Sequence, residues 1–265
     1  MSSTYTATDA AAYERLMGRW SPLLAEELIA FAGLAPGEAV LDLGCGTGSL
    51  ALALAGRPEP RRILGVDLAE PYIAYAKGRS HDPRLAFERG DATALPLPDG
   101  SFDRCLSLLA LNFIPEPARA VAEMRRVTRA GGTVAAAVWD FAGGLTYQRI
   151  FWDTAAALDP DADRARARHF ASRLTGPGEL EETFRAAGLK DVTARSLTIR
   201  MVYAGFDDYW RPIADAQGPV GDYVKRLPPA RLRALVEALE RAYCGGRADG
   251  PRSMTATAWA AKGTV

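Results

Sequence analysis

Cysteine, histidine and lysine are scarce in this chain, and net charge is missing altogether. Cys45, Cys105 and Cys244 are its only cysteines; they lie far apart and form no CxxC pair, and His81 and His169 stand 88 positions from each other. Zinc sites, disulfide frameworks and c-type haem attachment all need such residues in clusters, so none of these, and no metal, is expected. Lys plus Arg and Asp plus Glu balance at 32 each, and only Lys77, Lys190, Lys225 and Lys262 are lysines. A balanced surface has no overall basic field to gather nucleic acid, so no nucleic-acid partner is expected. The longest nearly apolar run, Cys105–Ile114, is too short to span a bilayer. The N-terminal MSSTYTATDAAAYER has no basic start leading into an apolar stretch. These absences point to a cytoplasmic, reduced protein without a membrane span. With 265 residues, 48% of them hydrophobic, one large domain can bury a core that needs no crosslinks.

Residues 39–140 alternate short β-like runs with helical stretches, the pattern of a parallel sheet with helices on its faces. Strands are predicted at 39–43, 62–67, 84–88, 102–109 and 132–139, and helices at 48–55, 70–79 and 116–129. The run Ala130-Gly131-Gly132 reads as the stop of that last helix. Residues 141–174 form a helical excursion, followed by a helix at 178–187 and a strand at 192–201. A second excursion at 205–252 carries a helix over 230–243, with Leu232, Leu235, Val236, Leu239 and Tyr243 on one face. A last strand lies near 253–261. The expected fold is α/β: a doubly wound, seven-stranded, mostly parallel Rossmann-like sheet whose helical insertions form a cap. The expected division is a helical lid over 1–38, a core over 39–140, 175–204 and 253–265, and cap insertions at 141–174 and 205–252.

The strongest signal is Val40-Leu41-Asp42-Leu43-Gly44-Cys45-Gly46-Thr47-Gly48, an apolar strand that runs into three alternate glycines and then a helix. Glycine lets a ligand approach the backbone closely, and a helix start offers free N–H groups to anionic parts of it. Open α/β sheets bind ligands at this carboxyl edge. Asp67 follows 19 residues after Gly48 at the end of the second strand, where a carboxylate can accept from both ribose hydroxyls. Asp91, in Arg89-Gly90-Asp91-Ala92 after the third strand, can receive an exocyclic amino group. The G-x-G-x-G spacing departs from the G-x-G-x-x-G of dinucleotide sites, which disfavours a nicotinamide enzyme.

The set VLDLGCGTG, GVDLAE, RGDATALPLPDGSFD, LALNFIPEP and EMRRVTRAGGTVAAAVWD resembles the class I S-adenosylmethionine-dependent methyltransferases, in particular the branch with the ubiquinone/menaquinone-biosynthesis type enzymes. The resemblance covers roughly residues 38–140. It implies S-adenosyl-L-methionine as cofactor, S-adenosyl-L-homocysteine as product, and a cytoplasmic enzyme acting on a small molecule. Gly44, Cys45 and Gly46 would then hold the methionine end, Asp42 its amino group, Asp67 the ribose, Leu68 the adenine face and Asp91 with Ala92 the adenine edge. Leu108 would line the methionine side. The segment YERLMGRWS looks like the one that closes over the cofactor in relatives, which makes Tyr13 and Arg19 candidate lid contacts, against plain packing.

Where many relatives have His-His or Glu-His after the fourth strand, this chain has Leu111-Asn112-Phe113. Asn112 can orient a polar group but cannot serve as a base. His169 is the candidate base, against its alternative as a surface residue beside Arg164, Arg166 and Arg168. Trp139, Trp152, Tyr209 and Trp210 either wall an aromatic, apolar or quinone-like acceptor or belong to the core. The Arg164–Arg173 cluster either grips an anionic acceptor or is a solvated helix face. Alignment of a nucleophile with an electrophilic methyl can supply much of the rate without a strong catalytic residue. A protein methyltransferase and a non-catalytic cofactor-binding module stand as alternatives.

Overall fold

The computed structural model describes residues 9–216 and 218–265; the first eight residues of the expected lid lie outside them. Seven strands form one sheet: β1 (Glu38–Leu43), β2 (Pro60–Asp67), β3 (Leu85–Arg89), β4 (Phe102–Leu108), β5 (Thr128–Trp139), β6 (Lys190–Tyr203) and β7 (Arg252–Thr264). Their spatial order is β3-β2-β1-β4-β5-β7-β6. β1 to β5 pair in parallel, and β7 enters antiparallel between β5 and β6. The mostly parallel, doubly wound sheet is therefore as expected. Its strand order reverses between β1 and β4, so the connections leaving their carboxyl ends run to opposite faces and open a crevice there.

All six residues of β1 are buried, as a strand covered on both faces must be. Val40 faces the core that includes Leu24, Leu28, Leu50 and Ile63. Leu41 and Leu43 face the opposite core with Val121, Met124 and Phe184. The first core is supplied by α2 (Ser21–Ala32) and α3 (Ser49–Ala55), the second by α5 (Pro117–Val127) and α8 (Glu179–Ala186). α2 lies within the expected lid, yet Leu24, Ala25 and Leu28 are fully buried. Each leucine of that kind contributes about 1.5–3 kcal/mol through burial, so α2 is a wall of the core. Only α1 (Ala10–Tyr13) and the π-helical turn Glu14–Gly18 run over the sheet edge.

One helix boundary departs from expectation. α5 ends at Val127, and Gly131 and Gly132 belong to β5. Thr128 closes the helix by donating its hydroxyl to the Met124 carbonyl at 2.7 Å and already pairs with Phe102 of β4. The register then shifts, and a Cβ at position 132 would lie 2.6 Å from the Asp103 carbonyl oxygen. That glycine permits a bulge and does not stop the helix. β6 and β7 are longer than expected because each supplies the other's hydrogen bonds from Lys190↔Thr264 to Tyr203↔Arg252.

The first insertion folds into α6 (Thr146–Leu158) and α7 (Pro160–Phe170), and the second into α9 (Phe206–Ala214), α10 (Pro219–Lys225) and α11 (Pro229–Cys244). α6 packs on α7 and α11, and α10 on α7 and α9, so the two insertions make one roof. α4 (Glu70–Lys77) completes the α-helices of the described residues, and none is long and apolar enough to cross a membrane.

Candidate functional site

The crevice at the β1/β4 switch is assembled by backbone hydrogen bonds between the strand ends. Gly44 and Cys45 donate to the Val66 carbonyl at 2.7 and 3.0 Å, Gly90 donates to Asp67 at 3.0 Å, and Leu109 donates to Ala137 at 2.8 Å. Gly44 has φ +70°, and a Cβ there would fall 2.3 Å from the Ala110 Cβ. The first loop can therefore meet the fourth only without a side chain at that position. Leu109 sits in the left-handed region at φ 61°, a strain of the kind held at binding sites.

Asp67 locks the first two loops together. Its Oδ2 accepts from Gly46 N at 2.9 Å and its Oδ1 from Ala69 N at 2.8 Å. Each carboxylate oxygen has a second lone pair, so Asp67 keeps acceptor capacity for two further donors. Burial raises its pKa, opposed by the hydrogen bonds from Ala69, Gly46 and Leu68. Beside it Leu68 is 49% exposed, an apolar face open to a flat ring. Asp91 is exposed, and Oδ1 accepts from Thr93 N and Oγ1, both at 2.8 Å. Those bonds hold its pKa below the usual value, and Oδ2 accepts from no described residue. Ala92 is half-buried next to it. Leu108 and Cys45 line the floor, largely buried, and burial followed by the charges of Asp42 and Asp67 pushes the Cys45 thiol well up.

Asp42 lies below the glycine loop, fully buried. Oδ2 accepts from Ala51 N at 3.0 Å, while Oδ1 has no partner. Burial dominates and lifts its pKa to about 8, against the Ala51 hydrogen bond and with help from the Asp67 charge. The free oxygen leaves capacity for a donor, and the observed bond belongs to the scaffold.

The N-terminal segment is a strap across the crevice. Tyr13 lies 5.5 Å from Tyr72 of α4, ring to ring. Glu14, which motif reading did not single out, accepts from Thr47 Oγ1 at 2.5 Å, and Arg79 bridges Glu14 Oε1 at 3.3 Å and the Thr47 carbonyl at 3.0 Å. Arg19 turns to the roof: it pairs with Asp208 at 2.8 Å and lies 4.3 Å over Trp20 and 5.2 Å over Tyr203. Nothing in the motif marked Glu14, because an acid in a short helix ordinarily reads as solvated.

The residues expected to meet the acceptor fall after β4, at the end of β5 and on the two insertions. Asn112, in the single 3₁₀ turn Leu111–Phe113, is 7% exposed and neither amide atom has a partner. Phe113 lies 6.4 Å from Phe141, and Phe141 4.5 Å from His169. His169 is half-buried and turned inward, unlike its solvated neighbours: Arg164 pairs with Asp161, and Arg166 with Asp153 and Asp163 at 2.8 and 2.5 Å. Trp152 is fully buried 5.9 Å from His169, with Nε1 unpartnered. Tyr209 is core: no surface remains, Tyr203, Phe206 and Tyr243 surround it, and its hydroxyl donates to the Tyr147 carbonyl at 2.9 Å. Trp139 is 5% exposed, and Trp210 is half-buried against the same core. His81 lies in the turn before β3, apart from these groups.

A family model described as a methyltransferase domain matches residues 41–136. A demethylmenaquinone methyltransferase of Roseiflexus castenholzii is 34% identical over 58% of this chain and 69% of its own. A 27-O-demethylrifamycin SV methyltransferase of Amycolatopsis mediterranei is 29% identical over 66% of this chain and 62% of its own. The chain spans 39% and 62% of the length of the first two curated relatives it matches. The crystal structure of the YcgJ protein from Bacillus subtilis shares the fold with a TM-score of 0.57 at 18% identity, over 91% of this chain and 98% of that one. The glycine loop, the two strand-end acids and these similarities agree: the chain belongs to the class I S-adenosylmethionine-dependent methyltransferases of the ubiquinone/menaquinone-like type.

Proposed function

We propose that this protein transfers the methyl group of S-adenosylmethionine to a small apolar or aromatic molecule bound in the cytoplasm between the β4 and β5 ends and the helical roof. The observation that carries the reading is the cradle itself: a side-chain-free approach at Gly44, spare acceptor capacity on Asp67, and exposed Leu68 beside it. When bound, the cofactor supplies a methyl carbon made electrophilic by positive sulfur. The residues then have four tasks. Gly44, Cys45 and Gly46 present backbone to its amino-acid end, with Asp42 behind them. Asp67 accepts from the ribose, Leu68 packs on the base, and Asp91 with Ala92 meets its edge. The strap residues Tyr13 and Glu14 exclude water, and Leu108 and Asn112 bound the space in which the acceptor meets the methyl. Rate then comes from alignment in a dry site. Small-molecule transfer in the named relatives, one acting on a quinone precursor and one on a rifamycin, supports this class over a protein substrate.

Calorimetric titration with S-adenosylmethionine and S-adenosylhomocysteine tests the reading. Micromolar binding is expected, weakened at least tenfold, or about 1.4 kcal/mol, by Asp67→Asn and separately by Asp91→Ala. The second variant removes only the Thr93 turn bonds and keeps the test valid if the first disturbs the loop. Absence of binding by the folded wild type overturns the reading.

A further inference from the structure

His169 is held in one tautomer by a chain of hydrogen bonds that crosses the roof. Tyr147 donates its hydroxyl to the Met17 sulfur at 3.5 Å and accepts from Gln148 Nε2 at 3.0 Å. That bond turns Gln148 Oε1 toward His169, 2.6 Å from Nε2. An amide oxygen only accepts, so Nε2 carries the hydrogen and Nδ1 keeps its lone pair. Burial lifts the Tyr147 phenol to about 12, which keeps the chain's first donor protonated. Burial also lowers the His169 pKa to about 4, so the ring is neutral throughout the physiological range. Three nearby arginines are committed elsewhere: Arg149 and Arg166 both pair with Asp153 at 2.8 Å, Arg149 also lies 4.9 Å over Phe170, and Arg173 donates to the Pro115 carbonyl, while Arg168 is exposed.

The surroundings of this ring are aromatic and contain orphaned polar atoms. Phe141 at 4.5 Å and Trp152 and Phe170 at 5.9 Å enclose His169, and Phe113, next in the chain to Asn112, lies 6.4 Å from Phe141. Asn112 Nδ2 and Oδ1 and Trp152 Nε1 are buried without partners. Buried polar groups rarely stay unpaired, and each unmade bond costs about 1–3 kcal/mol. A ligand that is flat, apolar over most of its surface and polar at its rim satisfies both features.

On the methyl-transfer reading above, we propose that the acceptor is a phenol or enol, that His169 Nδ1 removes its hydroxyl proton, and that Gln148 is the positioning residue that keeps Nδ1 unprotonated. The acceptor oxygen forms the new bond to the methyl carbon as the carbon–sulfur bond breaks, with that electron pair going to sulfur. The O–H electrons stay on oxygen and the proton goes to Nδ1. The positive charge lost by sulfur reappears on the imidazolium, which then releases its proton to water. Asn112 binds the oxygen function next to the reacting one. An amine acceptor attacks through a lone pair it already has and gains little from such a base.

Nitrogen-15 histidine NMR tests the assignment without turnover, since the chain has two histidines and His81→Gln identifies their signals. The expected spectrum is a neutral Nε2–H tautomer for His169 down to about pH 5, with Nδ1 shifting when 4-nitrophenol is added to the S-adenosylhomocysteine complex. Gln148→Leu is expected to mix the tautomers. In kinetics with paired phenols and anilines, His169→Asn lowers kcat for phenols about 100-fold or more, with KM within threefold and anilines unchanged. Gln148→Glu places a carboxylate on Nε2–H and moves the acid limb of kcat/KM to higher pH, which lost packing alone does not do. A wild-type protein that binds S-adenosylhomocysteine while Nδ1 ignores phenols, or a His169→Asn variant that slows phenols and anilines alike, overturns this inference and leaves the methyltransferase reading standing. Failure to bind the cofactor product at all removes the methyltransferase reading itself.

Discussion

Two residues in the cradle make opposite predictions for stability and binding. Asp42 has a folded-state pKa near 8, above its value near 4 when unfolded, so the native state holds its proton more tightly. Its stabilising contribution is full below about pH 4 and is lost as pH rises toward 8. Asp42→Asn keeps an acceptor for Ala51 N and carries no charge; its melting temperature is expected to vary less than wild type between pH 4 and 8. Parallel slopes in thermal melts refute that account. Leu68, by contrast, is 49% exposed and supports little else. Leu68→Ser is expected to leave the melting temperature within about 1 °C while weakening cofactor binding roughly threefold to tenfold, on the order of 1 kcal/mol for lost apolar contact. The glycines and both strand-end acids were legible because their spacing is local and each follows a strand. Glu14, Leu109 and Gln148 were not, because each acts through a partner distant in sequence or through a backbone angle that no residue type announces.

At the scale of elements, the strap is the part expected to move. Its π-helical turn widens the chain path at Glu14–Gly18, and such turns recur at functional sites. Glu14 ties it to Thr47 and Arg79 at one end, and Arg19 ties it to Asp208 at the other. On the proposed reading, with the cofactor under the strap, exchange is expected to open at least the first tie. Glu14→Gln weakens the pairing with Arg79 and is expected to speed S-adenosylhomocysteine release severalfold in stopped-flow measurements. The folding stability should change by less than about 1 kcal/mol, as for partly exposed ion pairs. Unchanged release with a lowered melting temperature would make Glu14 a folding residue only. Helix α5 and strands β6 and β7 show where sequence boundaries fail: Gly131 and Gly132 look like a stop signal until the bulge against Asp103 is seen.

For the molecule as a whole, the roof is the part that the proposed reading makes the wall of the acceptor site. Two insertions separated by β6 meet there, joined by the Tyr209 hydroxyl on the Tyr147 carbonyl, and Tyr147 in turn begins the chain to His169. Tyr209→Phe is expected to cost about 0.5–1.5 kcal/mol, a fall of about 1–6 °C in a domain this large, within a single transition. On the proposed reading, in which the acceptor lies against the roof and the cofactor does not, it should weaken the acceptor more than the cofactor. Two resolved melting steps, or an equal loss for both ligands, would mean that the insertions do not behave as one layer.

The class of fold and the family could be read from the chain alone. Alternating strands and helices, a glycine loop after β1 and acids after β2 and β3 are short-range patterns that each local segment enforces. The acceptor site could not be read this way. The unpaired Asn112 follows β4, whereas Gln148 and the His169 it bonds lie on α6 and α7, and only the packing of α6 against α7 brings those last two together. Local periodicity records which face of an element is buried; it carries no record of which distant element does the burying.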